Sequence, residues 1–447
     1  MTMSNSNTTT LDRLPRADAN LLPKEVYYSR EFADLERRRL WPRTWQIACR
    51  EEEIPKIGSY VTYDILDESI IVMRTGENEI KAYNNACQHR GRRLTEGCGK
   101  TNKLVCKFHG WKWNVDGSIF EVTDRNDWDG ALSDEGLGLS EFHVGLWGGM
   151  VFINMAPNPQ PLAEFMAPVS ERLDCMEIDR MRFRWYVTLE LDANWKTAIE
   201  AFVESYHVVQ THRQFAPYYD DLSTSEVRGQ HSQLMFPDNY IPGRRFGGQR
   251  TDARAMVMEY VRQQWEDIRS IFTERDYQAA SRILTEVPED ATYMEAMERA
   301  MGFMAEASIA AGAGYPQITG EQALNAGFDW NIFPNAVTVL SPSSALWFRS
   351  RPSRDNNPDR CIFDIWSLER MALGAVPPIE RRHYTDWRDF KELPVFLIDD
   401  FINIPEVHRG MKTSGFGNIK PNPVQEKAIT NMHRVLRQFI YGENEPA

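Results

Sequence analysis

Apolar positions along the chain change their spacing several times. Between residues 27 and 41, Phe32, Leu35, Leu40 and Trp41 stand among charged residues in the spacing of an amphipathic helix. The period then shortens. Residues 59–63, 69–74 and 80–83 read as strands separated by the turn-prone pairs Asp67-Glu68 and Glu77-Asn78, and Asp116-Gly117 takes a hairpin position after Trp111-Lys112-Trp113. Val151-Phe152-Ile153-Asn154 closes this β-rich stretch, and the proline-rich run from Pro157 to Pro161 reads as a boundary. Beyond it come a strand over 182–191, a helix from Trp195 to about Val208, and a loop-rich, later helical insertion over about 215–314. Within the insertion Met294, Met297, Met301 and Met304 form one helical stripe, suited either to core packing or to lining an adaptable apolar pocket. Residues 329–340, 344–351 and 361–369 alternate like antiparallel strands. A last helix is expected from Asn422-Pro423, with Ala428, Ile429, Met432, Val435, Leu436 and Phe439 on one side, until Gly442. The pattern predicts an α+β protein: a small antiparallel all-β domain over 40–156, and a second domain from 1–39 and 157–447 with a curved antiparallel sheet covered by helices.

At 447 residues, 42% hydrophobic and 26% charged, the chain has the makings of an ordinary two-domain globular protein. A net charge of −13 argues against nucleic acid or an anionic membrane as partner. Residues 1–20 are polar and threonine-rich, without the apolar core of a leader or anchor, and no later stretch reaches the length of a membrane span. Cys49, Cys98, Cys175 and Cys361 are scattered without a disulfide pattern, so a cytoplasmic location is expected.

The chemistry is concentrated in two short arms, Cys87-Gln88-His89 and Cys106-Lys107-Phe108-His109, with sixteen residues between His89 and Cys106. Two thiolates and two imidazoles can make a tetrahedral zinc site. Zinc motifs pair like with like, however, whereas here each arm carries one Cys and one His. That suits a Rieske [2Fe–2S] cluster, in which one iron takes both thiolates and the other both imidazoles. Farther on, His207 and His212 form an H-x4-H pair. On a regular helix they would point roughly 140° apart, so they converge on one metal only if the helix ends or distorts between them.

Together these segments resemble the large (alpha) subunits of Rieske non-heme iron ring-hydroxylating oxygenases. The resemblance rests on Cys87-Gln88-His89-Arg90-Gly91, Cys106-Lys107-Phe108-His109-Gly110-Trp111, and the stretch from Asn194 through Glu204 and His207 to His212. It implies that His207 and His212 hold a mononuclear Fe(II), with the third ligand in Phe396–Met411; register selects Asp400, with Asp399 as the fallback. It implies for Glu204 a bridge from an iron histidine to a Rieske histidine of a neighbouring subunit. The implied activity is that of a terminal oxygenase. Electrons come from a ferredoxin or an NAD(P)H-dependent reductase, O2 is the co-substrate, and an aromatic or other apolar ring is hydroxylated, by preference twice. The alternatives are a Rieske monooxygenase or O-demethylase, and an electron carrier with an inactive second site. The implied assembly is a homotrimer, with or without a beta subunit (α3β3). The exposed-looking Arg90, Arg92, Arg93, Lys100 and Lys103 could meet an acidic electron donor. Glu rather than Asp at 204 departs from the dihydroxylating pattern; Ala201, where many members have Asn, and Ile402, where an acid is common, are further departures from the family.

Overall fold

The structure, a computed structural model, describes residues 21–220, 222–236, 240–244, 252–372 and 374–442. The expectation for residues 1–20 lies outside these. The chain divides into two compact units, residues 39–182 and a discontinuous one formed by residues up to 38 together with 183 onward.

The contiguous unit is built on a seven-stranded sheet whose spatial order is Gln46–Arg50, Met150–Asn154, Glu141–Trp147, Glu79–Asn84, Glu68–Gly76, Ser59–Ile65 and Cys98–Lys100. A three-stranded sheet of Lys103–Val105, Lys112–Asn114 and Ile119–Glu121 accompanies it. Strand Ser59–Ile65 alternates strictly between buried and half-buried positions, as its sequence demands. Gly117 makes the expected hairpin turn at φ +84°; a Cβ there would lie 2.6 Å from the ring of Tyr83, so only glycine fits. Between the sheets Ile71, Met73, Tyr83, Leu104, Trp111 and Trp113 form one core that also contains Cys87 and Cys106. The Trp113 indole donates to the Leu137 carbonyl at 2.7 Å, so its burial leaves no polar atom unpaired.

The units part between Arg182 and Phe183, not at the proline-rich run. Residues 157–182 are tied to the β-rich unit by packing and hydrogen bonds. Helix Leu162–Leu173 presses Leu162 onto Gly145, where a Cβ would lie 2.5 Å from Leu162 Cδ2. Trp147 donates to Asp174 (2.8 Å), and the buried Arg50 donates to the Met181 carbonyl (2.7 Å).

The discontinuous unit holds an eight-stranded sheet, in order Thr224–Arg228, His231–Met235, Asp329–Ile332, Ala336–Leu340, Ser344–Pro352, Cys361–Glu369, Arg182–Leu191 and Arg381–Tyr384. The last pair runs parallel. Three helices are central to this unit: Trp195–Glu200, Val395–Met411 and Lys427–Tyr441. The first is buried along its whole length, and just beyond it the Phe202 ring stacks on Phe348 at 4.2 Å. The last carries the expected apolar face but starts at Lys427, not at Asn422. The Asn422 side chain accepts from the amides of Val424 and Gln425, closing a separate turn. The first predicted helix is likewise two pieces, Glu25–Tyr28 and Arg30–Arg39.

Three buried polar contacts fasten the outer segments to the central helix. Tyr27 donates to Glu200 Oε2 at 2.9 Å while His433 Nε2 lies 2.7 Å from Glu200 Oε1, and Lys196 pairs with Glu36 at 2.6 Å. The methionine stripe lies on Tyr293–Ala310. Met304 is fully buried and Met297 and Met301 pack against the same cluster, whereas Met294 is exposed; three of the four thus belong to the core, and none of them lines the cavity beside His207 and His212.

Candidate active site

The two Cys/His arms are closed by the same backbone bonds. Cys87 N–H donates to Arg92 O and Gly91 N–H to Cys87 O (2.9 and 2.8 Å); Cys106 N–H donates to Trp111 O and Gly110 N–H to Cys106 O (2.8 and 2.9 Å). Gly91 and Gly110 both sit at positive φ, +74° and +77°, which lets each arm turn that tightly. The two loops therefore present matched donors: the cysteine thiols meet each other, and His89 Nδ1 faces His109 Nδ1 at 3.1 Å. Burial opposes ionisation of Cys106, yet the amides of Phe108 and His109 and the nearby Arg92 hold its pKa below the ordinary thiol value. Burial, with the charges of His109 and Arg90, keeps His89 neutral. Two sulfurs paired with each other and two imidazole nitrogens paired with each other fit a cluster with one iron per pair, and not a single tetrahedral ion. The His89 ring stacks on Trp111 at 5.0 Å, which shields one side. Arg90, Arg92, Arg93 and Lys100 are exposed, whereas Lys103 is engaged with Asn114 at 2.6 Å.

The second centre depends on a helix that stops early. Asn194 caps Trp195–Glu200 by accepting from Lys196 N–H (3.1 Å), and the ladder ends at Glu200, eight residues before the end read from the sequence. In the turn that follows, Glu204 Oε2 accepts from the backbone amides of Tyr206 and His207, and a new short helix runs over Val208–Thr211. The break swings His207 round, so that the ring centroids of His207 and His212 come to 5.2 Å. Asp400, on Val395–Met411, places Oδ1 3.5 Å from His207 Nε2 and 3.2 Å from His212 Nε2. All three donor atoms lie within 4.8 Å of one another, the one such group among the described residues.

Each imidazole is held from behind. Glu204 Oε1 lies 2.6 Å from His207 Nδ1, and Asp399 Oδ2 lies 3.4 Å from His212 Nδ1 while accepting from Gln214 Nε2 at 3.0 Å. Asp399, the fallback ligand of the sequence reading, thus stands behind a histidine, on the side away from Asp400. Carboxylates in this position fix the Nδ1–H tautomer and leave the Nε2 lone pairs free to converge. Burial opposes charging His207, but Glu204 and Asp400 outweigh it and raise its pKa to about 9; a divalent cation bound there takes over that positive charge and displaces the proton. Two imidazoles and one carboxylate on one side of a site suit Fe(II) with open positions.

Beside this group is a cavity of about 120 Å³, walled by Phe215, Tyr219, Phe236, Phe328, Phe348 and Phe396, with His207, His212 and Asp400 among its lining. One feature of it escaped the sequence reading. Asp329, 8% exposed, lines the cavity, and its carboxyl has no partner among the described residues; burial and the charge of Glu204 push its pKa well above the carboxylate range.

A set of two thiols and two imidazoles in one unit, and of two imidazoles and a carboxylate in the other, suits a Rieske-type non-heme iron oxygenase, and comparison with known proteins agrees. Residues 178–442 match the family described as ring hydroxylating alpha subunit (catalytic domain), and residues 44–130 match the Rieske [2Fe-2S] domain. The chain therefore belongs to the ring-hydroxylating oxygenase alpha subunit family and carries its Rieske domain. It is 30% identical over 205 residues to a glycine betaine monooxygenase oxygenase subunit of Pseudomonas aeruginosa, covering 45% of this chain and 47% of that one. Against a carnitine monooxygenase oxygenase subunit of Escherichia coli (strain K12) it is 26% identical over 202 residues, 44% and 54% of the two chains. The chain thus spans about half the length of the curated relatives it matches. In fold it is similar to a quaternary ammonium Rieske monooxygenase in complex with L-carnitine (TM-score 0.63, 17% identity, 95% and 97% of the two chains). It is similar also to naphthalene 1,2-dioxygenase from Rhodococcus sp. bound to indole (TM-score 0.61, 20% identity, 95% of each). No helix among the described residues is long and apolar enough to cross a membrane.

Proposed function

We propose that the chain is the terminal oxygenase of a multicomponent system, and that it inserts one atom of O2 into a small organic substrate using electrons from a separate ferredoxin or NAD(P)H-dependent reductase. The observation that carries this reading is the convergence of His207, His212 and Asp400 at an apolar cavity, with Glu204 hydrogen-bonded behind His207. In it, Cys87 and Cys106 hold one iron of the Rieske cluster, His89 and His109 the other, and the three convergent side chains hold the mononuclear iron. When bound, the cluster supplies single electrons and the mononuclear Fe(II) activates O2. The chain's own contribution is positional. Glu204 and Asp399 keep both Nε2 atoms aimed inward, and the aromatic wall excludes water and seats the substrate.

Dihydroxylation of an aromatic ring, the first expectation from the resemblance, has less support than single oxygenation. The curated relatives that the chain matches are monooxygenase subunits named for glycine betaine, carnitine and choline. Glutamate at 204 departs from the dihydroxylating pattern in the same direction. The aromatic lining of the cavity can seat a trimethylammonium head as well as a ring. The reading also entails a trimer of these chains, because Glu204 then reaches toward the cluster of a neighbouring copy.

Iron analysis with isotopically labelled O2 tests it. Three irons per chain, a trimeric mass, and one labelled oxygen in the product with the other in water are expected. Two irons per chain would return the chain to an electron carrier, and two labelled oxygens in one product would restore dihydroxylation.

A further inference from the structure

Every carboxylate lining the cavity except one is engaged. Asp400 faces two imidazoles, and Glu204 holds His207. Asp220 is held by Arg244 through two bonds (3.0 and 2.7 Å) and accepts the amides of Ile241 and Leu222 (2.8 and 3.1 Å). Asp329 alone has no partner among the described residues, although it is more than nine-tenths buried. Gln264 also lines the cavity, in a π-helical turn, Gln263–Asp267; its Nε2 donates to the Tyr219 hydroxyl, while its buried Oε1 accepts nothing from the described residues. No Lys or Arg lines the cavity among the described residues.

An unpaired buried carboxyl is costly unless a ligand completes it. What would complete Asp329 is a cation, whose charge would offset the burial that opposes its ionisation; Tyr219, Phe236 and Phe328 line the same cavity, and aromatic rings attract positive charge. A ligand carboxylate would meet Asp329 and Glu204 with no guanidinium or ammonium among the described lining residues to receive it. We propose that Asp329 is the residue by which this cavity selects a ligand of net positive charge, a tertiary or quaternary amine without a carboxylate. The proposal rests on the oxygenase reading above and narrows its substrate class: a zwitterionic amine is disfavoured.

The test is calorimetric binding to the iron-loaded, oxidised enzyme with three probes: choline, its uncharged isostere 3,3-dimethylbutan-1-ol, and glycine betaine. Choline should bind about tenfold or more tightly than either of the others, the scale of a desolvated cation over aromatic faces. Asp329→Asn should bring the three within about twofold of one another, Asp329→Glu should retain the preference, and neither should change iron content. Equal binding or no binding of the three by the unaltered enzyme, or a preference that survives Asp329→Asn, overturns the proposal. Iron content and O2 consumption are read separately, so two irons per chain would sink the oxygenase reading without deciding the charge preference.

Discussion

Replacing Glu204 by Gln changes one atom type and tests whether the carboxylate sets the chemistry of His207. The Glu204 carboxylate uses both oxygens, Oε2 for the amides of Tyr206 and His207 and Oε1 for His207 Nδ1 at 2.6 Å. A glutamine has one oxygen for these two tasks. If that oxygen keeps the amides, the NH2 group faces Nδ1 and favours the tautomer with the proton on Nε2, the nitrogen that faces Asp400. If it turns to Nδ1, two N–H donors of the helix break confront another donor. Either way, losing a carboxylate behind a metal-binding imidazole costs about 10–100-fold in metal affinity or activity, or about 1.4–2.8 kcal/mol. Iron affinity would be read by competition with a chelator, and electron delivery by stopped-flow bleaching of the reduced cluster in single turnover. We expect iron affinity to fall within that range and cluster reoxidation to slow by a larger factor, since Glu204 also lies on the proposed route between the centres. Affinity and reoxidation both within twofold of the unaltered enzyme would refute the role given to the carboxylate.

Three further outcomes rest on particular contacts. His207→Ala should reduce iron from three to two atoms per chain and abolish oxygenation while the visible spectrum of the cluster stays unchanged; retained turnover would remove His207 from the site. Asp364 is fully buried. Burial alone would raise its pKa, but Arg349 and Arg351 (2.7 and 3.0 Å) and the Thr188 hydroxyl (2.7 Å) outweigh it and hold it at about 2. A depressed carboxyl pKa stabilises the fold above the unfolded value near 4, and the gain disappears as pH falls from about 4 to about 2, roughly 2 kcal/mol. Urea midpoints across that window should show the loss, and Asp364→Asn, which removes the buried negative charge that Arg349 and Arg351 share, should cost about 3–5 kcal/mol at neutral pH. Gly117→Ala forces a left-handed φ on alanine and drives its Cβ into the buried ring of Tyr83, so the cluster-bearing unit should lose about 2–5 kcal/mol, followed through cluster absorbance on heating. An unchanged melting profile would show that the Tyr83 ring gives way.

The cluster loops were legible in the sequence because each is a closed local object: the backbone bonds from Cys87 to Arg92 and from Cys106 to Trp111 join residues no more than five apart. The iron histidines were not legible alone. The helix expected to run through to Val208 ends at Glu200, and in the turn beyond it the Glu204 side chain takes the amides of Tyr206 and His207, which no helix propensity registers. Asp399 and Asp400 are adjacent on one helix, and periodicity does not choose between them when the segment is apolar on both sides. The hairpin Thr224–Arg228 and His231–Met235 went unseen because its buried positions are polar. Ser225 donates to the Gln425 carbonyl (2.6 Å) and Ser232 accepts from Asn431 (3.1 Å), so burial there is satisfied by hydrogen bonds and leaves no apolar alternation. Asp329 was hidden by the opposite circumstance: all four residues of Asp329–Ile332 are buried, and a strand covered on both faces does not advertise which one meets a cavity.

The junction of Tyr27, Glu200 and His433 also bears on biosynthesis. Tyr27 and His433 are 406 residues apart, which at ribosomal speed is on the order of 20 to 80 seconds. Residues 39–182 are contiguous and can close their own sheet, and accept a cluster, while the remainder is still being made. The iron-binding unit has no such head start. Its first helix leaves the ribosome early and waits, with an aromatic surface uncovered, for a partner that arrives last. During synthesis that segment stays uncovered until Glu200 and His433 have followed it out.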